Sequence, residues 1–139
     1  LYTYEAGSWY DENFALADDL ELPPGSAFWF SAPTSRDITM KGRVLTGTYT
    51  QDCPQGLSMI GPGVPKKLAL NGDIKWNNLS ESDTIQVREG GNYLLFTYED
   101  GKWWDETFQE ATYEIPVGAS IWLATNSDNA TISVDGASK

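Results

Sequence analysis

Residues 2–17 read YTYEAGSWYDENFALA and residues 96–111 read FTYEDGKWWDETFQEA, with nine identities in sixteen positions. The correspondence continues through ELPPGSAFWF (21–30) against EIPVGASIWL (114–123) and ends with ITMKG (38–42) against ISVDG (132–136). The offset is 94, then 93, then 94 residues. One residue is therefore lost after Ala17 and one gained before Ile38, both outside the strongest matches, as loops tolerate. An internal duplication speaks first of architecture, because each copy is a supersecondary unit that needs a neighbour to cover its apolar face.

Within each copy the periodicity is close to two, the period of a strand, and no stretch repeats at helical spacing. Thr84 to Arg88 alternates, Gly90-Gly91 turns, Asn92 to Glu99 runs out, and Asp100-Gly101 turns into Lys102 to Glu106. Asp-Gly suits a two-residue hairpin turn, whose central residues both need positive φ. That turn sets Glu99 opposite Lys102, Tyr98 opposite Trp103 and Thr97 opposite Trp104. The first copy predicts Glu5 with Ser8, Tyr4 with Trp9 and Thr3 with Tyr10. Aromatic cross-strand pairs of this kind set register, so Tyr4, Trp9, Tyr98 and Trp103 are read as structural. A loop or single helical turn follows each hairpin (13–19 and 107–113). Pro23-Pro24-Gly25 and Pro116-Val117-Gly118 then turn into strands at Phe28–Phe30 and Ile121–Leu123, and last strands follow at Asp37–Met40 and Ala130–Val134.

Residues 43–95 occur once, with short strands expected around Leu57, Leu68 and Ile85 and a polar connection from Asp73 to Asp83 containing Trp76. The organisation expected is a partial first repeat over residues 1–42 and a complete second unit over 43–139, together one compact domain. The fold class expected is all-β, a pseudo-symmetric β-sandwich or flattened barrel. Strand Leu1–Glu5 lacks the partner that Asn92–Glu99 has in Thr84–Arg88. An unpaired edge carrying Leu1, Tyr2 and Tyr4 is a template for pairing with another chain.

Composition limits the chemistry. Twenty acidic against nine basic residues, with no His, give a formal charge of −11 and a pI near 4.2. Nucleic acid is disfavoured as a partner, since its recognition rests on Lys and Arg neutralising phosphates, and so is an anionic membrane surface. No apolar run approaches the roughly 20 residues of a spanning helix. A secretion signal, if there is one, is removed or lies outside these residues. The single cysteine, Cys53, forms no intrachain disulfide and is read as a small buried residue.

Without His, and with one Cys, Ser-His-Asp and Cys-His arrangements and His-based metal sites are excluded. The carboxylate pairs Asp11-Glu12 and Asp105-Glu106 recur, but strand neighbours point to opposite faces and neither dipeptide is a facing acid pair. No enzyme activity is expected. Calcium is the one candidate ion, at Asp11, Glu12, Asp18 and Asp19 or at Asn126 and Asp128. No D-x-[DN]-x-[DN]-G loop is present, and Asp18 and Asp19 become Thr112 and Tyr113 in the second copy, so solvated acidic loops are the reading adopted. Trp29 and Trp122, at equivalent sites, with Trp76, are the candidate platforms for sugar rings. The alternative is that each fills a layer of a sandwich with aromatics on both strand faces.

The order of Pro54-Gln55-Gly56-Leu57-Ser58-Met59, Asp83-Thr84-Ile85, the hairpins Tyr2–Trp9 and Phe96–Trp103, and the strands Pro23–Trp29 and Pro116–Trp122 resembles a group of secreted, internally duplicated β-rich repeat proteins of environmental bacteria. The resemblance covers nearly the whole chain. It implies an exported protein of the cell surface or extracellular matrix and carries no activity or ligand with it. Together with the open edge, it leads to the expectation of a non-enzymatic structural subunit that self-associates into a homo-oligomer, filament or surface layer by β-edge pairing. A polysaccharide-binding module and a piece of a longer surface repeat protein are the alternatives.

Overall fold

A computed structural model describes residues 1–39 and 41–136. Among them there is no helix, and twelve strands form four antiparallel sheets: five-stranded, three-stranded and two pairs. The strands are β1 (Thr3–Glu5), β2 (Ser8–Tyr10), β3 (Thr48–Cys53), β4 (Gly56–Ile60), β5 (Leu68–Ala69), β6 (Ile74–Asn77), β7 (Thr84–Glu89), β8 (Asn92–Glu99), β9 (Lys102–Asp105), β10 (Glu114–Ile115), β11 (Ile121–Thr125) and β12 (Ala130–Asp135). The five-stranded sheet runs β4-β11-β7-β8-β9 and the three-stranded sheet β3-β12-β6. No barrel closes, and the arrangement is consistent with a β-sandwich.

Alternation supplies the core. Ile121 and Leu123 of β11 face inward with Ile85 and Val87 of β7, while Ile132 and Val134 of β12 do the same from the other sheet. Leu68 and Ile115 close the cluster from the β5–β10 pair, and Trp103 lies fully buried among them, its ring edge-on to Trp76 at 5.0 Å. Among the described residues every member of this buried cluster lies between Cys53 and Val134. The Cys53 thiol, on the inner face of β3, is pushed up to about 11 by burial, which keeps it protonated and a poor nucleophile.

Both predicted hairpins form in the predicted register. Tyr4 faces Trp9 as Tyr98 faces Trp103, and Asp100 and Gly101 both take positive φ, at 51° and 78°. The 13–19 and 107–113 segments are loops and not helical turns: each returns beside its own hairpin, with Leu16 bridging Tyr10 and Glu110 bridging Trp104.

Three expectations need correction. The Asp73–Asp83 connection contains a strand, β6, and Trp76 lies in it, bonded through its indole N–H to the Leu70 carbonyl at 2.8 Å. Residues 28–30 form no strand, although their counterparts 121–123 do. Nor do Asp37, Ile38 and Thr39, counterparts of β12; Met40 lies outside the described residues. Strand propensity is realised only against partners. β11 has β4 and β7 beside it, and β12 has β3 and β6. The first copy has no second set of these four strands among the described residues.

One buried carboxylate ties two neighbouring strands of the five-stranded sheet together. Asp83, fully buried, accepts from the Ser80 amide (2.9 Å), the Thr125 hydroxyl (2.6 Å) and the Asn126 amide (2.9 Å), joining the start of β7 to the end of β11. Replacing Asp83 by Ala leaves the buried Thr125 hydroxyl without its acceptor, at about 1–3 kcal/mol before relaxation, and removes the acceptor of the less buried Ser80 and Asn126 amides. Urea unfolding of Asp83→Ala is expected to show a loss of about 1–3 kcal/mol, and Asp83→Asn a smaller one. An unchanged midpoint for Asp83→Ala would refute this role.

Candidate functional site

The residues singled out by sequence fall mainly on the first copy and on the faces of the five-stranded sheet. Leu1 is 91% exposed, and Tyr2 and Tyr4 are also exposed; the strand expected from Leu1 begins at Thr3, so Tyr4 lies in β1 and Leu1 and Tyr2 precede it. β1 is bonded to β2 and, among the described residues, to no other strand. Its counterpart β8 is bonded to β9 on one side and to β7 on the other, through six residue pairs from Thr84↔Thr97 to Glu89↔Asn92.

Burial of equivalent side chains records the consequence. Phe96 is 5% exposed and its counterpart Tyr2 46%; Ile121 is 1% exposed and Phe28 43%; Ile132 is 1% exposed and Ile38 42%. Trp103 is sealed, whereas Trp9 is half-buried against Tyr4, with ring centroids 5.1 Å apart. An apolar set that forms a core in one copy is left on the surface in the other.

The loop after each hairpin is built the same way twice. Asp11 Oδ1 accepts from the Asn13 and Ala15 amides at 2.8 and 2.9 Å, and Asp105 Oδ1 from the Thr107 and Gln109 amides at 2.8 and 3.0 Å. Main-chain bonds Ala17 N to Trp9 O and Ala111 N to Trp103 O, both 2.8 Å, pin the returning chain onto the outer edge of β2 and of β9. The second hairpin edge is thus covered by its own loop in both copies. Hydrogen bonds from the backbone amides, Ala15 first for Asp11 and Gln109 first for Asp105, hold both carboxyls below their usual range. The recurrent acids are turn-forming groups, and an acid held low is a poor proton donor near neutrality.

Asp11, Asp18 and Asp19 border one shallow depression with Tyr2 and Leu16, and the equivalent depression of the second copy is bordered by Phe96, Asp105, Thr112 and Tyr113. Asp18 Oδ1 is taken by the Trp9 amide at 2.7 Å. Among the described residues no group of three or more His, Cys, Asp or Glu is placed to hold a metal ion.

The three tryptophans are not brought to one surface. Trp76 packs on Trp103 at the core, whereas Trp122 is half-buried on the outward face of β11, beside Met59 and Gln86. Trp29 is 54% exposed, with the Arg88 guanidinium 4.9 Å from its ring centroid. Sequence reading missed Asn71, and it singled out Asp18 as a candidate ion ligand without its role as a cap, because each acts by hydrogen bonds to strand edges that no periodicity reveals. Asn71 Oδ1 accepts from the Trp103 amide at 2.8 Å, and its Nδ2 donates to the Trp103 and Ala111 carbonyls at 2.9 and 3.0 Å.

No family model, no curated protein and no solved structure matches this chain.

The depressed acids have a pH consequence. Because the folded pKa lies below the unfolded value of about 3.8–3.9, their contribution is complete above that value and disappears as pH falls through the folded pKa. Amide exchange at Ala15 and Gln109, corrected for intrinsic rates, is expected to accelerate below about pH 4. Protection unchanged down to pH 2 would contradict the capping role.

Proposed function

We propose that this chain is a non-enzymatic assembly module of extracellular or cell-surface material, which associates by adding a strand along the open edge of β1. The observation that carries the reading is the contrast between β1, bonded only to β2, and β8, bonded on both sides. An unpaired edge presents a row of backbone donors and acceptors, and strand addition supplies affinity through the main chain while side chains along it, here Tyr2 and Tyr4 on one face and Leu1 on the other, supply specificity. The β2 edge is already covered by residues 15–17, so addition has one direction.

The complete unit offers a second open edge. Among the described residues β4 is bonded to β11 and to no other strand, and Leu57 on it is 67% exposed. Joining β1 of one molecule to β4 of the next uses two different surfaces, so the contact is heterologous and propagates instead of closing as a dimer. The extracellular placement rests on the resemblance of the hairpin and strand motifs to exported repeat proteins. The engagement of Asp11 and Asp105 with their own loops supports a role without catalysis.

Light scattering and electron microscopy of the purified chain test this. Species that grow with protein concentration are expected, and added salt should promote them by screening the −11 charge. A reductant should change nothing, because Cys53 is buried. Deleting residues 1–5 should leave a monomer with the 43–136 unit folded. A strictly monomeric full chain at high concentration and high salt overturns the proposal.

A further inference from the structure

The second copy displays what covers a hairpin of this sequence. β8 receives β7 along its free edge. β9 receives Asn71, whose side chain bonds both the amide and the carbonyl of Trp103. Glu114 and Ile115 pair with Ala69 and Leu68 in β10–β5, and Glu114 also meets Lys67 at 3.9 Å. β11 receives β4 and β7. All of these donors lie in one continuous stretch, residues 56–89, within the half of the unit that precedes β8.

The first copy has the matching recipients in place. β1 has a free edge, and Glu21 and Leu22 stand where Glu114 and Ile115 stand, with Leu22 exposed. Phe28, Trp29 and Phe30 occupy the positions of Ile121, Trp122 and Leu123 but lie on the surface. The Trp9 amide, counterpart of the Trp103 amide, is bonded to Asp18, which stands where the second copy has Thr112. A carboxylate only accepts. Asp18 can replace the Asn71 oxygen, and it cannot supply the two bonds that Asn71 donates.

Charge favours this partner over a second first copy. Residues 1–35 carry Glu5, Asp11, Glu12, Asp18, Asp19 and Glu21 and no Lys or Arg, whereas residues 43–94 balance Arg43, Lys66, Lys67, Lys75 and Arg88 against Asp52, Asp73, Glu81, Asp83 and Glu89. Within residues 43–136 β7 is not available to β1, because it is bonded to β8 on one edge and β11 on the other, and the same segment meets the first copy at the 23–26 turn, where Tyr49 Oη donates to the Pro24 carbonyl and Gln51 Nε2 and the Gly61 amide donate to the Gly25 carbonyl.

We infer that residues 1–38 are the receiving half of a second module, and that their partner is a segment of the same kind as residues 43–94, donated by a neighbouring repeat unit. Such a segment brings a K-L-A-L-N loop to Glu21 and Trp9 and a D-x-I-x-V strand to β1. Asp18 is a temporary cap that holds the Trp9 amide until an asparagine takes it. The inference rests on the open β1 edge of the assembly reading, gives that edge a β7-type strand in place of the β4 edge of a like molecule, and extends the docking surface to residues 21–30.

The test places a second copy of residues 43–94 ahead of Leu1 in the full chain and follows amide exchange at high dilution. Expected is a gain of about 100-fold or more in protection at Tyr4 and Phe28–Phe30 over the 1–139 chain, lost again when the added segment carries Ile85→Lys and Val87→Lys. In the extended chain Asp18→Ala should leave the Trp9 amide protected, whereas in the 1–139 chain it should expose that amide. Residues 1–38 as unprotected in the extended chain as in the parent overturn the inference, and so does a gain that survives the two lysine substitutions. Self-association plays no part in this measurement, so a monomeric parent chain would defeat the proposed polymer while leaving this result to stand or fall alone.

Discussion

The ladder between β7 and β8 decides which of the two sequence copies enters the core. Six residue pairs join these strands across the Gly90-Gly91 turn. Once β8 is held there, Phe96 and Trp103 are carried onto the apolar faces of β7 and β11, and β11 finds β7 on one side and β4 on the other. Backbone groups buried without partners cost free energy comparable to a lost hydrogen bond. A strand with one paired edge therefore keeps its other edge toward solvent unless a further segment covers it. The short connection between β7 and β8 makes that arrival cheap in loop entropy for the second copy.

The same reasoning accounts for the divided fate of the repeated segments. Hairpin and capped loop are local: the turn, the cross-strand aromatic pair and an aspartate accepting two nearby amides all lie within sixteen residues, and they form in both copies. Strands β11 and β12 are non-local, each lying between two others, and their counterparts in the first copy remain unpaired. Residues 28–30 are, if anything, better strand formers than 121–123, since Phe-Trp-Phe replaces Ile-Trp-Leu. Propensity is not the deciding term; the presence of an edge to pair with is.

This division also marks what the sequence could disclose. Hairpin register was legible because Asp-Gly and the aromatic positions constrain it within a few residues, and the all-β class was legible from a period of two throughout. β6 was hidden because Ile74-Lys75-Trp76-Asn77 sits among Asn, Gly, Asp and Ser and reads as connection; Trp76 belongs to the core only because Trp103 lies opposite it. The roles of Asn71 and Asp18 were hidden for a related reason. Both are ordinary polar residues of loops, and their meaning lies in strand edges 32 and 9 residues away in sequence. The open edge of β1 was visible in outline, because comparing two copies of one sequence shows which contact one of them lacks.

The pairing of Trp9 with Asp18 argues that the first copy is adapted to an uncovered state and is not a decayed remnant. A hairpin that had merely lost its partner would leave the Trp9 amide to water. Here a residue that is Thr112 in the covered copy is an aspartate, and its carboxylate accepts that amide at 2.7 Å. The acidic run from Glu5 to Glu21 adds mutual repulsion between like hairpins, so two first copies meeting edge to edge are disfavoured. Under the proposed assembly, that repulsion disfavours the symmetric contact relative to a heterologous one with a less acidic strand.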